Sequence, residues 1–333
     1  MVTPLESRRI VIAGASSLLG TELKSLLEES RFAACDFRLV DEESAAGRLT
    51  EAGGEPGVIQ PVEEDSFNKA SFIFFVGSAA FTRANLDLAR RSGARIIDLS
   101  AALAGQPDTR TCLAVAGDAM SGASEAERFF TVPSAHAEII ARLALALQTF
   151  HGLALSAVAF QPVSVAGTAG IEELESQTGK LLSFQPPGKS VFDAQVAFNM
   201  LDRFGPASQQ KVQASLQVLR NEIRSCLAPE ISMPTVQLLH APVFYGATVT
   251  VCARIKSAAD ATILANACSA AGFRITVDEA APSNISAAGE TALQLAMPLA
   301  DAAVPGAWWF WAAADNLRRP AANAVKLAES FLS

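Results

Sequence analysis

The chain has 333 residues, half of them hydrophobic and only 18% charged, so two domains with sizeable cores are expected and global disorder is excluded. Its net charge of −8, with no basic run longer than a pair, excludes nucleic acid and anionic membrane surfaces as natural partners. Five dispersed cysteines without a C-x-x-C pair, and only three histidines, indicate reduced thiols in a cytoplasmic protein and no metal site.

In chain order, "RRIVIAG" reads as a strand running into a glycine-rich turn. "SSLLGTELKSLLEES" reads as a helix, with Leu18, Leu19, Leu23, Leu26 and Leu27 at helical spacing. The opening run "ESRRIVIAGASSLLG" carries two arginines ahead of apolar residues, as a signal peptide does. Serines and glycines interrupt it, and Glu22 and Lys24 follow, so no signal peptide is expected. "DFRLVD" is a second strand, and the apolar "SFIFFVG" suits the centre of a parallel sheet. "TRANLDLARRSG" is a helix stopped by Gly93, "ARIIDLS" a strand and "RFFTVPS" the next strand. This alternation predicts a parallel sheet with helices on both faces.

From about residue 152 the pattern changes. "ALSAVAFQPVSVAG" is strand-like, and "GIEELESQTGKLL" is a helix opened by Gly170. "FDAQVAFNMLDRF" and "SQQKVQASLQVLRNEIRSCL" read as helices, and "TVQLLHAPVFYGATVTVCARI" and "ITVDE" as strands. Trp308, Trp309, Phe310 and Trp311 mark a packed strand or a subunit interface. The surrounding "PGAWWFWAAA" is too short to span a bilayer. "DNLRRPAANAVKLAESFL" is an amphipathic helix. Strands grouped with fewer, longer helices predict an α+β second domain with a mixed or antiparallel sheet.

Two local constellations bear on chemistry. "GASSLLG" follows a strand and opens a helix, the context of a dinucleotide fingerprint. Gly14 allows a tight turn and Gly20 close packing of helix on strand, but Ser17 stands at the middle glycine, where backbone approaches a pyrophosphate. Its hydroxyl would block the ligand or bind a phosphate oxygen, and an ordinary βα turn is an equal reading. After the second strand, Asp41, Glu42 and Glu43 favour NAD over NADP unless Arg48 reaches the ligand, because carboxylates repel a 2′-phosphate; a solvated acidic loop is the alternative. The second constellation is "TVPSAHAEII", where Ser134 and His136 flank the start of a helix. Ser134 suits an N-cap. A serine and a histidine two apart on one helix do not face each other, which argues against a local hydrolytic pair.

Several stretches, in order, make the chain similar to the aspartate-semialdehyde dehydrogenase family. "GASSLLGTEL" resembles the family's GATGxVGxEL turn, and "ESAAGR" its RSAGK loop, with Ser44 where the family has arginine. "RIIDLSAAL", "FQPVSVAGTAGIEELESQ", "FDAQVAFN", "APVFYGATVTV" and "ADNLRRPAANAVKLAE" resemble later family segments. The resemblance implies a Rossmann-like NAD(P)-binding domain over residues 1–133 with the C-terminal residues 313–333. It implies an α+β substrate and dimerisation domain over 134–312, and a homodimer. Ser16, Leu18, Leu19 and Asn316 join Gly14, Ser17, Gly20 and Ser44 as implied cofactor contacts. It also implies NADPH-dependent reduction of β-aspartyl phosphate: a thiolate attacks, a histidine acts as acid and base, and arginines hold the anions.

Carried over residue by residue, that chemistry is missing. The nucleophilic cysteine falls on Ala135 and the histidine on Ala247, while the substrate arginines fall on His240 and Ala104. Gln161, which lies against the thioester in the family, is kept, and Glu222 matches the acidic residue. Scaffold residues such as Gln195, Asn199, Asp315 and Asn323 are also kept. Degenerate members of this kind, the Usg-type proteins, are known, and the chain resembles them. A catalytically inactive protein that binds a nucleotide, another small molecule or a partner is therefore the expected function. The alternative is an active oxidoreductase of altered chemistry using Ser134 or His136.

Overall fold

The computed structural model describes residues 8–52, 55–113, 126–150, 154–256, 259–277 and 280–332. Glu6 and Ser7 of the opening run, the start of the second pattern near residue 152, and Asp278 and Glu279 of "ITVDE" lie outside these residues. The chain divides into one unit of Met1–Ser134 with Pro320–Ser333 and a second of Ala135–Arg319.

The first unit contains β1 (Arg9–Ala13), α1 (Leu18–Glu28), β2 (Asp36–Asp41), β3 (Leu49–Ala52), β4 (Glu55–Val58) and β5 (Gln60–Pro61). It continues with β6 (Ala70–Phe75), α2 (Ala79–Arg91), β7 (Arg95–Asp98), β8 (Arg110–Thr111) and β9 (Phe129–Thr131). A seven-stranded sheet in the order β5-β2-β1-β6-β7-β9-β8 has every neighbouring pair parallel. Alternate residues of the same strands feed two cores. Ile10, Ile12, Phe72 and Phe74 pack on one face, with Ala321, Ala324 and Leu327 from the C-terminal helix. Val11, Ala13, Ile73 and Phe75 pack on the other. Burial on both faces is why "SFIFF" reads as a continuous apolar run. Ser17 caps α1 and Ser78 caps α2 through their side chains. The short β3–β4 hairpin and the two-residue strands β5 and β8 carry too little periodicity to be anticipated.

The second unit contains α3 (Ala135–Leu147), β10 (Ala154–Gln161), α4 (Gly167–Leu182), α5 (Val212–Cys226), β11 (Thr235–His240) and β12 (Ala247–Arg254). After these come α6 (Ala261–Ala270), β13 (Phe273–Thr276), β14 (Leu293–Ala296), β15 (Leu299–Ala300), β16 (Ala307–Ala314) and α7 (Arg318–Glu329), which continues into the first unit at Pro320. The sheet is mixed, in the order β11-β10-β12-β16-β14-β13, with β15 paired to β16. β10–β11 and β13–β14 are parallel, and the other pairs antiparallel. Its strands alternate: Ala157, Ala159, Val249, Val251, Phe310 and Ala312 are buried. Ser156, Val158, Thr250, Cys252, Trp309 and Trp311 form the other, more open face. Register aligns that face in rows, Ser156 beside Cys252 and Trp309, and Val158 beside Thr250 and Trp311.

Three expectations change. "FDAQVAFNMLDRF" is not a helix. Phe192, Val196 and Ala197 do face a core, but Asp193 (φ 48°) and Phe198 (φ 57°) interrupt the winding. Polar side chains of α4 replace the missing backbone partners: Gln177 Oε1 accepts from Val196 N at 2.8 Å and Ala197 N at 3.1 Å. Glu173 carboxylate oxygens accept from Val191 N and from Phe192 N at 3.3 Å. Second, α4 opens at Gly167 rather than Gly170, which lies inside the helix; a Cβ on Gly170 would meet Val163 O at 2.3 Å. Third, the chain rejoins the first unit at Pro320, not near 313. Ala313 and Ala314 still pair with Thr248 and Ala247 in β16 and β12, and Arg319 is bonded to Glu138 and to Thr291 O.

Candidate nucleotide turn and candidate active-site edge

In the first unit, the turns after β1 and β6 meet at the point where the strand order reverses, the usual place for a ligand in a doubly wound sheet. Gly14 (φ 95°) leaves β1 there, and Gly20 packs so closely that a Cβ would stand 2.7 Å from Gly14 O. Ser17 does not occupy the ligand side of this turn. Its hydroxyl donates to Val76 O at 2.9 Å and accepts from Gly20 N at 2.9 Å, so it serves as an inward-turned helix cap. Its hydroxyl is spent there rather than on a phosphate. Capping Gly20 leaves the amides of Leu18 and Leu19 as the first-turn donors of α1 that no side chain caps among the described residues. Ser16 N is not one of these donors, because it binds Asp41 Oδ2 at 2.7 Å. Asp41 Oδ1 accepts from Glu42 N at 2.8 Å, so the acid closing β2 braces the turn. Ser44 lies exposed in a 3-10 turn, Glu43–Ala45. Two uncapped amides at a helix N-terminus, with Ser17 turned away, fit a dinucleotide pyrophosphate.

In the second unit, the residues matched to catalytic positions gather at one end of the sheet. Gln161 ends β10, His240 ends β11 beside it in register, and Ala241 N bonds Gln161 O at 3.0 Å. Ala247 begins β12 at the same end, next to the Thr248–Phe160 pair. His136, in the first turn of α3, donates from Nε2 to Phe160 O at 2.9 Å, which draws the helix start that carries Ala135 to the end of β10. Ala135 is 1% exposed and Ala247 0%.

The groups that remain are poorly suited to proton transfer or nucleophilic attack. Burial pushes the His136 imidazole down to about 4, so it is neutral at physiological pH. Burial likewise lowers His240, whose Nε2 lies 3.3 Å from Val196 O and whose ring packs against Phe192 and Phe204 at 6.1 and 5.4 Å. It stands as a strand histidine bonded to backbone, at the position the resemblance gives to a substrate arginine. Desolvation raises all five thiols, Cys112 and Cys268 to about 12. Ser134 directly precedes α3. Glu222 is buried on α5. The Arg220 side chain reaches Val236 O near the start of β11 at 3.0 Å, and Glu222 lies further along α5, where its charge acts on Cys226. Asn316 is spent within the unit: Oδ1 accepts from Gly246 N at 2.7 Å and Nδ2 donates to Ser164 Oγ at 3.1 Å. It therefore holds the turn leading into Ala247, a role sequence reasoning missed.

Sequence reasoning also missed Glu173 and Gln177. The signal was a polar pair four apart on a helix otherwise apolar on that side. Among the described residues no group of His, Cys, Asp and Glu could hold a metal ion, and no helix is long and apolar enough to cross a membrane.

The chain matches two family descriptions end to end: "Semialdehyde dehydrogenase, NAD binding domain" over residues 9–140 and "Semialdehyde dehydrogenase, dimerisation domain" over residues 143–319. A USG-1 protein homolog of Azotobacter vinelandii is 30% identical, with 97% of each chain covered. The aspartate-semialdehyde dehydrogenase of Rickettsia bellii is 23% identical, again with 97% of each chain covered. A solved structure of a probable aspartate-semialdehyde dehydrogenase from Pseudomonas aeruginosa superposes with a TM-score of 0.84 at 25% identity, covering 98% of this chain and 99% of that one. With both units matched and the fold shared along its length, this chain belongs to the semialdehyde dehydrogenase family.

Proposed function

We propose that this protein is a nucleotide-binding member of its family that no longer performs the dehydrogenase reaction. The observation that carries this reading is the pair Ala135 and Ala247, two buried methyl groups at the positions matched to the nucleophile and the acid/base group. A methyl group neither attacks an acyl phosphate nor moves a proton. The chain offers no substitute thiolate, since all five thiols are held above their ordinary value by burial. His136 is buried and neutral, with its basicity lowered by desolvation, so it is a weak base for activating a nucleophile.

The cofactor fits better than the chemistry. Leu18 and Leu19 amides would hold the pyrophosphate, with Gly14 and Gly20 bringing backbone and helix close enough. Asp41, Glu42 and Glu43 near Ser44 favour NAD over NADP, because no arginine stands at Ser44 to pair with a 2′-phosphate. A bound nicotinamide supplies hydride transfer in active dehydrogenases.

The second unit forms a homodimer interface in this reading. The family description of that unit and its open sheet face, with Val158, Thr250, Trp309 and Trp311, both support it.

Calorimetric titration of the purified protein with NAD and NADP tests the nucleotide reading. Saturable binding, tighter for NAD, is expected; heat-silent titrations with both would remove the nucleotide from the proposal. Sedimentation tests the dimer: wild type should run as a dimer and Trp309→Glu as a monomer. A monomeric wild type would contradict it.

A further inference from the structure

The chain passes between its two units twice, after Ser134 and after Arg319. One buried carboxylate touches the second unit's side of both passages. Glu138, in the first turn of α3, is 0% exposed. Its Oε1 accepts from Arg142 Nε at 2.7 Å, and its Oε2 from Arg319 Nε at 2.8 Å; Arg319 Nη2 adds a second bond to Oε1. The Arg319 contact is thus a two-pronged fork joining residues 181 apart in sequence. Each guanidinium is anchored further. Arg142 Nη1 donates to Ala271 O at 2.7 Å, and Arg319 Nη1 to Thr291 O at 2.7 Å. The segment that carries Arg319 is itself fixed, since Asp315 Oδ1 accepts from Leu317 N and Arg318 N at 2.8 Å and Oδ2 from Gly289 N at 2.8 Å.

We propose that Glu138 is a positioning residue that clamps the two chain passages together through Arg319, so that residues 135–138 and 315–319 open and close as one element. Bulk stability alone is a weak reason for such a site. Well-packed apolar replacements of a buried ionic triad are often neutral or stabilising, whereas the fork provides a directional link between two distant segments. Arg142 then serves to neutralise and orient Glu138 from within its own helix, at the four-residue spacing of one helical turn.

Hydrogen exchange on the full-length protein tests this, comparing wild type, Glu138→Gln, Arg319→Lys and the apolar triple variant Glu138→Leu/Arg142→Met/Arg319→Met. In Glu138→Gln both segments should exchange about tenfold faster together, with β12 and β16 unchanged. Arg319→Lys keeps the charge and loses the fork, and should give the same paired response at smaller amplitude even if Glu138→Gln fails to fold. The apolar triple variant should keep the wild-type melting temperature and still show both segments accelerated. Wild-type exchange in the single variants, acceleration of only one segment, or full recovery in the triple variant would each overturn the clamp.

Discussion

Gly14 and Gly77 face each other so closely that a Cβ on Gly14 would lie 2.2 Å from Gly77 N. The turn after β1 can therefore sit against the turn after β6 only if residue 14 has no side chain. Gly14 also has a φ of 95°, a region that L side chains rarely adopt. Gly14→Ala should destabilise the protein by about 3 kcal/mol or more, combining backbone strain with overlap. Gly47 is the control: its φ is 81° with nothing within 4 Å of a built Cβ. Gly47→Ala should cost about 1 kcal/mol. Chemical denaturation of the two variants checks the difference; equal losses would mean that close packing is not what Gly14 provides.

His136 makes stability depend on acid. Its native pKa is lowered from 6.5 to about 4, so between those values the unfolded chain binds more protons than the folded one. Its contribution is complete above about pH 6.5 and drains away as pH falls toward 4, by roughly 3 kcal/mol in total. His240, lowered by the same cause, acts in the same direction. In His136→Gln, stability between these pH values should decline less steeply than in wild type. Parallel curves from urea titrations across this range would show that His136 binds protons equally in the folded and unfolded chain.

The thiols give an independent reading of the site. Cys35, Cys112 and Cys268 are buried, while Cys226 and Cys252 are partly exposed; all five are raised. Alkylation near neutral pH should run slower than for free cysteine at every position, most so at the buried Cys112 and Cys268. Cys252, on the open sheet face, should be labelled ahead of Cys112 and Cys268. Mass spectrometry after timed labelling checks this, and a single hyper-reactive thiol would reveal a nucleophile outside the family position.

Gln177, with Glu173, holds an irregular segment through its side chain. It accepts from Val196 N and Ala197 N and donates to Gly188 O at 2.7 Å and Ala194 O at 3.0 Å. Gln177→Leu orphans all four groups and should cost about 3 kcal/mol or more. Gln177→Glu keeps the acceptor but turns a buried carboxylate toward Glu173, Gly188 O and Ala194 O, and should cost at least as much. A small loss for Gln177→Leu in urea titration would mean that water replaces the amide.

That segment also marks where sequence reading reached its limit. "DFRLVD" was legible because β2 (Asp36–Asp41) pairs locally and ends at an acid. "FDAQVAFNMLDRF" was misread because its apolar spacing imitates a helix; the deciding partners, Glu173 and Gln177, lie on another element. The same holds at the site. Motif register points to Ala135 and Ala247, but the contacts of Ser17 and Asn316 were not legible, since both reach backbone far away in sequence. Short strands such as β15 carry no periodicity and exist only through pairing with β16.

The central claim, that this family member has lost the dehydrogenase reaction, is tested most directly by assaying purified wild-type protein. Aspartate semialdehyde, phosphate and NADP or NAD are supplied, beside Ala135→Cys/Ala247→His. The account predicts no phosphate-dependent formation of reduced nucleotide by wild type at any enzyme concentration, with any turnover confined to the double variant. Phosphate-dependent turnover by wild type, rising in proportion to protein and abolished by Ser134→Ala or His136→Gln, would contradict it.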